Sequence, residues 1–105
     1  MVNIENNSFT LLRFIFCVEN QMWTALASEY FGTLLLISVI TLFSNPLAIG
    51  AALWAAIMLV GKYSGGHFNP AVTLITLLKG KINSQLAIGY VIAQLAAATT
   101  VWKFT

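Results

Sequence analysis

The sequence predicts an all-α membrane protein: three transmembrane helices, with one re-entrant half-helix between the second and third. Hydrophobic residues make up 59% of the chain against 8% charged, a balance that lipid-embedded helices require and water-soluble domains rarely reach. Three apolar stretches each approach the roughly 20 residues needed to cross the hydrocarbon core. Between the last two lies Ser64-Gly65-Gly66-His67-Phe68-Asn69-Pro70, a break where no soluble loop is expected. Backbone at membrane depth is tolerated only if protein buries it or water wets it, so a wet cavity or pore is the first expectation.

Residues 1–22 mix Phe9, Leu11, Leu12, Phe14, Ile15, Phe16 and Val18 with Arg13, Glu19, Asn20 and Gln21. They read as an interfacial amphipathic segment feeding a single domain over 23–105. Glu5 and three Asn precede the first apolar run, unlike a signal peptide, so residue 1 is expected in the mature chain. Residues 23–43 form the first span, about 31 Å of helix, with Glu29 as its charge. Ser44-Asn45-Pro46 is a turn with proline at a helix start. The second span covers 47–62, and its Ala48, Ala52 and Ala56 permit close helix approach. Re-entrant loop and half-helix occupy 64–80; the helical part from Pro70 to Lys79 is only about 15 Å long and does not cross. Gly80 stops it, and Lys79 and Lys81 suit the negative end of its dipole. The third span is 84–102, with Gly89, Ala93 and Ala97 as a second small-residue stripe. Trp23 and Trp102, at span ends, fit an aromatic belt, and Trp54 fits packing or lipid contact.

Arg13, Lys62, Lys79 and Lys81 fall on one side of the membrane and Lys103 on the other, which predicts a cytoplasmic N-terminus and loop in a multi-pass protein. The net charge of +2 is too small to imply nucleic acid. Cys17 has no partner for an intramolecular disulfide, and His67 is the one histidine, so neither a metal site nor any cofactor is expected. No nucleophile triad, paired carboxylate or phosphate loop is present, and no enzyme is expected.

Asn69-Pro70 reads as an N-cap followed by proline at the first helical turn, where its missing N–H costs nothing. A half-helix starting there aims unpaired N–H groups and about half a positive charge into the membrane centre, which disfavours cations. Gly65 and Gly66 let the preceding backbone run extended, so that its carbonyls line a path as acceptors. Acceptors along the approach and a donor at Asn69 suit water or a neutral hydroxylated solute. The bland alternative is an ordinary turn between two spans.

Ser64-Gly65-Gly66-His67-Phe68-Asn69-Pro70-Ala71-Val72-Thr73-Leu74 resembles the first Asn-Pro-Ala loop of the aquaporin (major intrinsic protein) family. Ser28-Glu29-Tyr30-Phe31-Gly32-Thr33 resembles that family's Glu-Phe-x-Gly-Thr, and Ala93-Gln94 supports the match. Together they cover the first half of a family member. The resemblance implies pore-facing carbonyls at Gly65, Gly66 and His67, an Asn69 donor in an Asn69-Pro70-Ala71 box, and apolar wall from Leu53, Phe68 and Val72. It places Ile49 at a filter position, where an aromatic is common. Glu29 and Gln94, expensive inside spans, are expected to support the loop. The family has two inverted repeats whose half-helices meet at the membrane centre. The second Asn-Pro-Ala box and its arginine are absent, with Val72 in the arginine's corresponding place.

The expected function is therefore half of a channel for water or a neutral solute such as glycerol, working in the lipid bilayer with a complementary half-channel chain or as a homo-oligomer. A non-conducting membrane interaction protein or gene fragment that kept one repeat, and a small oligomeric permeabilising protein, are the alternatives.

Overall fold

The computed structural model describes residues 4–105, with side chains from residue 7 onward; the first three residues of the expected interfacial segment lie outside it. Four helices follow in order: α1 (Ile4–Phe43), α2 (Pro46–Ser64), α3 (Pro70–Leu78) and α4 (Ser84–Phe104). The fold is all-α, and α1, α2 and α4 are long and apolar enough to cross a membrane. With nine residues, α3 is about 14 Å long and is not.

Asparagine caps three of the four starts. Asn45 Oδ1 accepts from the N–H groups of Leu47 and Ala48, Asn69 Oδ1 from Ala71, and Asn83 Oδ1 from Leu86, each satisfying donors that a helix start leaves open. Proline stands at the first position of α2 and of α3. Helix α2 ends on Gly65, at φ 90°, whose N–H donates to the Gly61 carbonyl at 2.7 Å. Left-handed Gly80 ends α3, with Lys81 N–H returning to the Thr76 carbonyl.

The sequence reading has an interfacial helix over residues 1–22 feeding the first span, and α1 runs unbroken through residue 22 for 40 residues. No Gly or Pro lies between Ile4 and Phe31, so the polar run Glu19-Asn20-Gln21 does not interrupt the backbone ladder. Residues 7–21 of α1 are exposed throughout and project beyond the rest of the bundle, so that the whole measures 64 Å along its long axis.

The hub is α1, which packs against both α2 and α4, while α3 packs against α4. Small residues permit this. Ala25 and Ser28 of α1, Ala52 and Ala56 of α2, and Ala87 and Ala97 of α4 are buried, and a Cβ on Gly89 would stand 2.8 Å from the Leu26 side chain. Between helices in lipid, where no hydrophobic drive favours association, such close backbone approach supplies the dispersion contacts that hold them. The large apolar residues point outward, among them Trp23, Trp54 and Trp102.

Replacing Ala56, 1% exposed, with leucine is expected to force α1 and α2 apart at a cost of about 1–3 kcal/mol. The same change at exposed Ala51 is expected to be neutral. Thermal unfolding midpoints of the two variants in one detergent check this contrast.

Candidate functional site

The break between α2 and α3 is held by one carboxylate. Glu29, fully buried in α1, accepts from three directions: Ser64 Oγ at 3.0 Å, the Phe68 N–H at 3.0 Å, and Gln94 Nε2 at 2.9 Å. An ionised carboxylate is acceptor-only and offers about four lone-pair sites, so three converging donors match what it can take. Each partner comes from a different element: the end of α2, the loop and α4. The group is costly within a span unless so surrounded.

The network then spreads. Gln94 Nε2 also donates to Thr73 Oγ1 of α3 at 3.0 Å, and that hydroxyl lies 3.0 Å from His67 Nδ1. Tyr90, one turn before Gln94 on α4, donates its hydroxyl to the Ser64 carbonyl at 2.7 Å, and its ring meets that of His67 edge-on at 4.9 Å. Ser64 Oγ accepts from the Gly66 N–H at 3.1 Å. Glu29, Thr73 and Gln94 are the largest fully buried side chains among the described residues.

This anchoring sustains an unusual backbone. Gly65, Gly66 and Phe68 all have positive φ, 90°, 70° and 54°. Glycine adopts the left-handed region freely, whereas phenylalanine pays about 1–2 kcal/mol. The bond from its own N–H to Glu29 offsets that strain, and so does the placement of its ring, only 2% exposed and seated on Gly32, where a Cβ would overlap it.

Asn69, with Pro70 and Ala71, starts α3 on an exposed surface. Its Oδ1 caps the helix through the Ala71 N–H at 2.8 Å, which turns the amide so that Nδ2 is left without a protein partner. The carbonyls of Gly65, Gly66 and His67 likewise accept no hydrogen bond from the described residues. Beside Asn69 a cavity of about 300 Å³ opens between α1 and α4, walled by Leu36, Ile37, Ile40 and Leu95, with Thr33 and Gln94 also on its lining. Thr33 Oγ1 and Gln94 Oε1 are buried without a partner.

The structure thus joins Glu29, Gln94, Phe68 and His67 in one network, with Asn69 next to it. Ile49 and Leu53 on α2 and Val72 on α3 stand apart: Ile49 is half-buried, the other two are more exposed, and none bonds to the loop. Sequence reading missed Gly32, Ser64, Thr73 and Tyr90 as loop supports. Helical spacing held part of the signal, since Tyr90 and Gln94 share a face of α4, as do Glu29 and Gly32 on α1. Among the described residues no three His, Cys, Asp or Glu side chains gather as metal ligands would.

Comparison with known proteins matches residues 10–103 to the major intrinsic protein family model. The glycerol uptake facilitator protein-like 6 of Lactiplantibacillus plantarum is 41% identical over 80 residues, 68% of this chain and 37% of that protein. The aquaglyceroporin AqpS of Rhizobium meliloti is 42% identical over 59 residues, 56% of this chain and 25% of that one. The lens fiber major intrinsic protein of Gallus gallus is 33% identical over 93 residues, 76% of this chain and 35% of that one. The chain therefore spans roughly a quarter to two fifths of the length of these curated relatives. No solved structure matches it.

Removing the acceptor by Glu29→Ala leaves the Ser64 hydroxyl and the Phe68 N–H unpaired, at about 1–3 kcal/mol each, and Gln94 Nε2 with Thr73 alone. The Phe68 amide is expected to exchange its hydrogen at least about tenfold faster; exchange at the wild-type rate would show that the loop does not depend on Glu29. Gly32→Ala is expected to displace the Phe68 ring and to raise exchange at the same amide.

Proposed function

The chain belongs to the major intrinsic protein family, and on that footing we propose that it forms one half of a membrane channel for water or a small neutral solute such as glycerol. It is an integral membrane protein, with three helices of spanning length and composition. The observation that carries the reading is the disposition of Asn69. Its oxygen is spent on capping α3, so its Nδ2 hydrogens are free for a passing oxygen, at the end of a half-helix whose dipole repels cations. The unoccupied carbonyls of Gly65, Gly66 and His67 offer acceptors in sequence before it, which supports passage of a molecule that both donates and accepts. Leu53 and Val72, exposed and apolar, suit a wall that does not bind water tightly. Ile49 suits a filter position.

The four-to-one bias of Arg13, Lys62, Lys79 and Lys81 against Lys103 supports a cytoplasmic N-terminus with α3 entering from that side. The same bias disfavours an inverted pair of identical copies, so a complementary chain carrying the other half is the preferred partner. The cavity beside Asn69, with Thr33 Oγ1 and Gln94 Oε1 unsatisfied at its edge, supports incompleteness, because buried orphan polar atoms ask for a partner. That incompleteness also favours a second reading, in which the chain is a non-conducting subunit that modulates a full-length relative.

Asn69→Asp discriminates between these readings. Aspartate caps a helix as well as asparagine does, so α3 is expected to stand while the Nδ2 donor is lost. Osmotic shrinkage of proteoliposomes holding the chain with a complementary half is expected to show water or glycerol flux without ion conductance, falling to the protein-free rate in the variant. Flux unchanged by the substitution would refute the assigned role of Asn69. No flux in any combination, together with tight co-purification with a full-length relative, would favour the modulatory reading, and ion leak would point to a permeabilising protein.

A further inference from the structure

Between α3 and α4 runs a groove that the two helices wall from opposite sides. Leu74 and Leu77 of α3 and Ile88, Val91 and Ile92 of α4 border an opening of about 250 Å³, with buried Thr73 and Ala87 at its base. Thr73 is the one lining residue with a polar side chain, and its hydroxyl is held by Gln94 and His67. The groove is therefore hydrocarbon along its length. Among the described residues α3 packs on α4 alone, and Leu74, Ile88 and Ile92 are exposed along the rim.

The depth of the groove follows from α4. Its 21 residues give about 31 Å of helix, which crosses the hydrocarbon core from Ser84 onward. Leu77 and Ile88, at the outer end, thus lie about one turn below the headgroups, and Pro70 and Ile92, at the inner end, lie near the membrane centre. This is the level of the acyl chains of one leaflet. The connection between the helices, from Lys79 to Asn83, joins the two walls at the outer end, where Gly80 turns the chain at φ 72° and the Lys81 N–H returns to the Thr76 carbonyl. Lys79 and Lys81 therefore stand at the mouth of the groove, both exposed. No Asp or Glu occurs anywhere in residues 30–105, so this part of the molecule offers them no counter-charge. A helix with its side chains is about 10–12 Å across and cannot enter the groove, whose volume is also below the roughly 300–1,000 Å³ of sites for drug-sized molecules. An unbranched alkyl chain lying parallel to the helices fits.

We propose that this groove binds an anionic phospholipid, with one acyl chain laid between α3 and α4 and the phosphodiester at Lys79 and Lys81. The lipid then covers the side of the half-helix that no protein element covers. The preference is for a net negative lipid, because a zwitterionic headgroup brings its own cation to a place that already has two. The inference is independent of whether the chain conducts.

Quenching of a single tryptophan by chain-brominated lipids tests it. In the full chain, Trp23, Trp54 and Trp102, all exposed, are changed to phenylalanine and the reporter is introduced as Ile92→Trp at the inner end of the groove. Bilayers that mix brominated phosphatidylglycerol with plain phosphatidylcholine, and the reverse, give the relative affinity of the two lipids at that place. One cation near the surface is worth about a fivefold preference, so phosphatidylglycerol is expected to be favoured by about fivefold or more. Lys79→Gln with Lys81→Gln is expected to bring the ratio close to unity, Lys79→Arg with Lys81→Arg to keep it, and Arg13→Gln with Lys62→Gln, an equal charge loss elsewhere, to leave it nearly unchanged. A reporter placed instead as Ile75→Trp, one turn from Lys79 on α3 but outside the groove, is expected to see a clearly smaller preference. Equal quenching by both lipids at position 92 would overturn the proposal. So would the same preference at both reporters, or a ratio that falls as far with the Arg13 and Lys62 pair, since either indicates a diffuse field; and so would a reporter at position 92 that neither lipid quenches, since that puts protein in the groove.

Discussion

A single buried carboxylate inside a membrane span governs this architecture. Glu29 would be hard to accommodate in hydrocarbon on its own, and the chain meets that demand by bringing a hydroxyl, a backbone amide and a side-chain amide to it from three elements. The dependence runs both ways. The loop backbone has no sheet or helix to satisfy it and needs an acceptor at this place; the carboxylate needs donors and finds them only if the loop is bent. Left-handed Phe68 is the residue through which the bargain is struck, since its conformation aims the N–H at Glu29 and its ring at Gly32.

Polar bonding of this kind works only at short range, and the small residues on the helix faces make the range short. Ala52 and Ala56 bring α2 against α1, while Ala87, Gly89 and Ala97 bring α4. With large side chains in those places the helices would stand apart and Gln94 could not reach Glu29. Close packing and the polar network are thus one device, in which van der Waals contact sets the distance and the hydrogen bonds set the register. The tall apolar residues are left for the lipid-facing surface, the inverse of a water-soluble bundle.

Much of this was legible before any coordinates. Composition and run length declared the spans, and Asn69-Pro70 declared the start of a helix too short to cross. Glu29 and Gln94 stood out because polar groups at such positions require partners. What sequence could not show is which groups meet across long separations, such as Ser64 with Glu29 and His67 with Thr73: serine and threonine are ordinary in membrane helices, where they bond their own backbone, as Ser28, Ser38 and Thr76 do here. The seat that Gly32 gives the Phe68 ring was not legible for a related reason. A glycine within a helix is informative only once the ring that lies on it is known.

The donors that steady the loop are distributed unevenly along the chain, and this bears on biosynthesis. Ser64 and Phe68 are translated together with the loop itself, but Tyr90 and Gln94 belong to α4, which leaves the ribosome after the loop, and α3 packs on that helix rather than on those made earlier. While the nascent chain is being threaded into the bilayer, Glu29 waits with an unfilled coordination shell, and the half-helix has no neighbour to rest on. The packing of the re-entrant segment is therefore complete only once α4 is in place beside it.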